Sequence, residues 1–109
     1  MSAGANMAVA NLDRREAPRD EVSYRTRATT AAGETISIHI VNVSANGFMA
    51  RTERSFEPGA TLTIRLPVLG MVAAEVRWSL GGRIGCQFGR MIDLAPYLEL
   101  LAELVRNAR

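Results

Sequence analysis

The chain has 109 residues, enough for one domain with a core of its own and no need of disulfides or metals. Hydrophobic residues make up 48% and charged residues 22%, and the net charge of +2 is too small to indicate nucleic-acid binding by charge alone. The single cysteine, Cys86, excludes an intrachain disulfide and a thiolate metal cluster. The start lacks the cationic segment and apolar run of a signal peptide, and no stretch approaches the roughly 18 apolar residues of a membrane helix, so the expected location is the cytoplasm. All thirteen basic residues are Arg. Genomic base composition accounts for that bias, although the planar guanidinium also holds phosphate bidentately and stacks on bases.

Residues 1–13 carry small and polar side chains without periodicity and are expected to be flexible. A dense charged lead-in follows over 14–21, where Pro18 argues against a continuous helix. From Val22 the pattern has a period of two. Tyr24, Thr26 and Ala28 alternate with Arg25, Arg27 and Thr29, and after an Ala32-Gly33 turn Ile36, Ile38 and Ile40 alternate with Ser37 and His39. A short segment spans Phe48 to Thr52, Pro58-Gly59 marks a turn, and Leu62, Ile64 and Leu66 alternate with Thr61, Thr63 and Arg65. Val72, Ala74, Val76 and Trp78 then share one face, and Gly81-Gly82 makes a hairpin into Ile84, Cys86 and Phe88. Trp78 and Phe88 both fall on the inner face in this register, which leaves no outer aromatic platform for stacking bases.

Six short strands with frequent turns predict an all-β fold, a small antiparallel barrel over 22–90. The period changes at the end. Leu94, Tyr97, Leu98, Leu101, Leu104 and Val105 fit one stripe of a helix over 93–108, with Asp93 as N-cap and Pro96 in the first turn. No internal repeat or linker is visible, so 14–109 reads as one domain.

Little in the chain supports catalysis. His39 is the only histidine and lies mid-strand, where it reads as a surface or half-buried residue. Cys86 alternates with core positions and reads as a small core residue. No Ser-His-Asp set, zinc-protease motif, Walker loop or dinucleotide glycine motif is present, and no cofactor or metal site is expected. Two weak signals remain. Arg15-x-x-x-Arg19, preceded by Arg14, has a spacing that thirteen arginines produce about once by chance. Asn42-Val43-Ser44-Ala45-Asn46-Gly47 is also a good strand-ending turn, with Asn and Ser bonding local backbone and Gly suited to positive φ.

In combination these segments resemble the PilZ family. Arg-x-x-x-Arg is followed by strands, then Asn-x-Ser-x-x-Gly, then a barrel closing on Glu75-Val76-Arg77-Trp78 and Ile84-Gly85-Cys86-Gln87-Phe88 before a helix. The resemblance covers Arg14 to about Arg106. It implies a PilZ-type barrel and a non-enzymatic receptor for the bacterial second messenger cyclic di-GMP. Arg15 and Arg19 would grip guanine edges and phosphates, while Asn42, Ser44 and Gly47 would line the barrel face beneath. Arg14 would be an added cation suited to stacking on a second ligand molecule. The lead-in would order onto the barrel when ligand binds and so regulate an unidentified effector protein, with no DNA, RNA or membrane insertion expected. The alternative is a PilZ-like module that binds no nucleotide and acts by docking a partner.

Overall fold

The computed structural model describes residues 18–106. The expectations for 1–13, for Arg14 and for Arg15 lie outside the described residues. Six strands are present: β1 Asp20–Thr30, β2 Thr35–Ser44, β3 Gly47–Arg51, β4 Thr61–Leu66, β5 Gly70–Leu80 and β6 Arg83–Phe88. One helix, α1, spans Leu94–Arg106. The strands close into an antiparallel barrel in the order β1-β2-β3-β6-β5-β4, with β4 pairing back onto β1. Closure leaves no sheet edge exposed.

The alternation read from the sequence places the core. Leu62, Ile64 and Leu66 of β4 point inward, as do Ile84, Cys86 and Phe88 of β6, and they meet Ile38, Ile40 and Phe48. Gly81 and Gly82 both take positive φ, 61° and 78°, which a two-residue hairpin with the right twist requires. The Pro67–Gly70 turn holds an unexpected feature. Val68 has φ 71°, and the Leu69 amide donates to the Pro67 carbonyl at 2.7 Å, a tight three-residue turn centred on a β-branched residue.

The helical stripe differs from expectation. Tyr97, Leu100 and Leu104 are buried on the barrel and Leu101 packs partly, whereas Leu94, Leu98 and Val105 are exposed. The buried stripe is about one position out of phase with the expected one and includes Leu100. The reason is polar: the Tyr97 hydroxyl lies 2.6 Å from Asp20 Oδ2 and 3.1 Å from the Val43 carbonyl, so its hydrogen bonds fix which face meets the barrel.

Three irregularities break the period of two, between Glu21 and Tyr24, between Ile40 and Asn42, and between Val76 and Trp78. A bulge adds a residue to one strand and reverses which face the following side chains take. Strict alternation would send Asn42 inward beside Ile38 and Ile40. The β2 irregularity instead lets Val43 enter the core and turns Asn42 outward. The β5 irregularity does the same for Trp78, which is 40% exposed, so the sequence expectation of an inward Trp78 is wrong. Phe88 is inward as expected and packs with Phe48, ring centroids 5.7 Å apart.

Candidate functional site

The bulges gather polar groups on one outer face. Cross-strand pairing sets Asn42 opposite Met49, Met49 opposite Gly85 and Gly85 opposite Trp78. One step along the strands, Ser44 faces Gly47, Gly47 faces Gln87 and Gln87 faces Glu75. A cleft of about 410 Å³ runs over these two rows, lined by Arg19, Ser44, Gly47, Trp78 and Gln87 among others.

Each motif residue has a definable local role. Arg19 is exposed at the entry to β1, and its Nη1 donates to Asn42 Oδ1 at 2.9 Å. This contact joins the two sequence motifs across 23 residues of chain. Asn42 Nδ2 also contacts Met49 Sδ at 3.7 Å, which fixes the orientation of its amide. Ser44 is buried, and its Oγ accepts from the Asn46 amide at 3.2 Å. The loop is pinned on the opposite side, where the Phe88 amide donates to the Asn46 carbonyl at 2.8 Å and the Ile92 amide to the Ala45 carbonyl at 2.9 Å.

Gly47 serves close approach. Its φ is not positive, contrary to the turn rationale read from the sequence, but a Cβ there would lie 2.0 Å from the Cys86 carbonyl oxygen. Gly85 plays a matching part. A Cβ at Gly85 would lie 2.1 Å from Trp78 Nε1, so the absent side chain is what lets the indole sit directly against β6.

Of the residues that the sequence motifs name, Arg19, Ser44 and Gly47 line the cleft and Asn42 bonds to Arg19 beside it; Met49, Arg77, Trp78 and Gln87 also line the cleft and carry no motif. The available signal was Gly85, since a glycine inside a strand marks a close approach. Arg77 lies 3.8 Å from Glu75 in a loose exposed pair, so its guanidinium stays accessible to the cleft. Cys86 borders the cleft, where burial pushes its thiol pKa up to about 12 and so favours the protonated form.

A family model, the PilZ domain, matches residues 13–107. The chain belongs to the PilZ family. PilZ domains are cyclic di-GMP-binding and adaptor modules rather than enzymes. A search of curated proteins found no match. In this PilZ domain no helix among the described residues is long and apolar enough to cross a membrane.

Proposed function

We propose that this PilZ domain is a cyclic di-GMP receptor whose ligand lies over the Trp78–Gly85–Asn42 face and is clasped by the lead-in arginines. The observation that carries the reading is the Arg19–Asn42 bond, which joins the two motifs beside a cleft that Arg19, Ser44 and Gly47 line. The chemistry of the lining fits a guanine dinucleotide. Guanine offers O6 and N7 as a paired acceptor edge, which suits the forks of Arg19 and Arg77. An exposed indole supplies a face for stacking, worth about 1–3 kcal/mol per base. Gly47 keeps β3 and β6 close beneath the cleft, and Gly85 seats the indole that a base would stack on.

Arg15 would supply the second motif fork, and Arg14 a further cation toward phosphate or a stacked second ligand. Ordering of the lead-in by these contacts would present a new surface to an effector protein, which is how a domain of this kind regulates a partner without catalysis. The test is a calorimetric titration with cyclic di-GMP, followed in parallel by fluorescence of Trp78, the sole tryptophan. Binding in the micromolar range or tighter, about −8 kcal/mol, is expected together with a change in Trp78 emission. No heat and no emission change would leave the domain as a nucleotide-free docking module.

A further inference from the structure

A second set of cations crosses the barrel where the nucleotide reading makes no use of it. Register places Arg25 opposite His39, His39 opposite Arg51, and Arg51 opposite Arg83. Four basic side chains thus form one row across β1, β2, β3 and β6, about 14 Å long at roughly 4.8 Å per strand. Arg25, Arg51 and Arg83 are exposed, and among the described residues none of them has a carboxylate partner. Arg27 stands two positions along β1 from Arg25 and is equally free of one. The row borders an open groove of about 940 Å³, in which Arg54 is already paired with Glu34 at 3.0 Å and Glu53 is the lining carboxylate. The groove shares no lining residue with the Trp78 cleft.

Like charges directly opposite one another weaken a sheet. Arg51 and Arg83 are such a pair, and at His39 the charges of Arg25 and Arg51 add to the burial that lowers its pKa. A row that weakens the fold needs a function that offsets the cost. We propose that it is a docking strip for an acidic helical segment of a partner protein. A spacing of about 4.8 Å matches carboxylates three or four residues apart on a helix, roughly 5–6 Å between neighbours. His39 is the one aromatic ring among the residues that line the groove, which therefore lacks the Trp, Tyr or Phe platform on which single-stranded nucleic acid stacks. The row ends at Leu80, which pairs with Arg83 and is 78% exposed, and so offers an apolar anchor at one end of the strip. This inference does not depend on cyclic di-GMP binding.

The test uses the full chain without nucleotide. A labelled helical peptide of about 15 residues, with Glu along one face and Leu at its end, is titrated and followed by anisotropy, beside poly-U RNA and phosphatidylglycerol vesicles. Salt-sensitive peptide binding is expected, weakened by roughly tenfold or more in Arg51→Ala/Arg83→Ala, with melting temperature unchanged or raised because repulsion is relieved. Arg25→Gln, on a different strand, should weaken the peptide in the same sense. The proposal is overturned by no peptide binding, by tighter binding to poly-U or vesicles, or by variants that bind the peptide like the parent. Loss of cyclic di-GMP binding in these variants would place the row in the nucleotide site and overturn it equally.

Discussion

Replacing Gly47 with Ala tests the close approach on which the cleft floor depends. The new Cβ would lie 2.0 Å from the Cys86 carbonyl oxygen and 3.0 Å from both the Cys86 carbonyl carbon and Gln87 Cα, all backbone atoms. Backbone has no rotamer in which to retreat, so β3 and β6 must part by about 1 Å before the contact becomes tolerable. The neighbouring bond from the Phe88 amide to the Asn46 carbonyl is 2.8 Å long, and such a displacement takes it outside hydrogen-bonding range. Losing that bond and a ladder bond beside it, with buried groups left unsatisfied, costs about 3 kcal/mol. For a domain of this size that lowers the melting temperature by roughly 12–20 °C. Thermal and urea unfolding measure it, with Gly89→Ala as control. A Cβ at Gly89 meets nothing closer than the Ala73 carbonyl oxygen at 3.8 Å, so that variant should stay within about 0.5 kcal/mol of the parent. If Gly47→Ala melts with the parent, the strands are not held as close as described.

Arg19→Ala should weaken cyclic di-GMP binding by about 2–4 kcal/mol in calorimetry while leaving the melting temperature nearly unchanged, since Arg19 is exposed; an unfolded variant would make it structural. Tyr97→Phe removes the hydroxyl between Asp20 and the Val43 carbonyl and should cost about 1–3 kcal/mol in urea unfolding; an unaltered midpoint would mean that apolar packing alone seats α1. His39 should titrate below the usual 6.5 by NMR, and Arg51→Ala should move its midpoint upward. Between that lowered midpoint and 6.5 the unfolded chain holds the proton and the folded one does not, so stability falls as pH drops through this window and is flat below it. Val68→Gly should raise stability by about 1 kcal/mol, because relief of the positive φ exceeds the backbone entropy that Gly loses; a fall would show that the turn carries no strain.

The barrel was legible because most strands obey a strict alternation. Leu62-Thr63-Ile64 and Ile84-Gly85-Cys86 state their facing without help, and the Gly81-Gly82 pair states the hairpin. The candidate site was legible only in its motifs. Arg19, Asn42, Ser44 and Gly47 carried a motif, while Trp78 was misplaced because its facing depends on an added residue in pairing with β6, which the local sequence of β5 does not announce. The same applies to α1. Leu98 and Leu100 are equally apolar, and the choice between them is made by the Tyr97 hydroxyl meeting groups 77 and 54 residues away. Irregularities set by long-range pairing are what a local period cannot contain.

That hydroxyl has a thermodynamic consequence. Asp20 directly follows Arg19, and Val43 stands between Asn42 and Ser44, so one side chain of α1 touches the flank of both motifs. Seating of the helix and ordering of the chain at Arg19 are therefore linked quantities. Whatever part of the free energy of holding Arg19 is coupled to the helix acts equally in both directions, from Arg19 to the helix and from the helix to Arg19. Conversely, a protein that grips the outward Leu94, Leu98 and Val105 and draws the helix away loosens the start of β1 by the same factor. The outer face of the helix and the chain at Arg19 are thus balanced through a single phenol, with no need for the barrel strands to move.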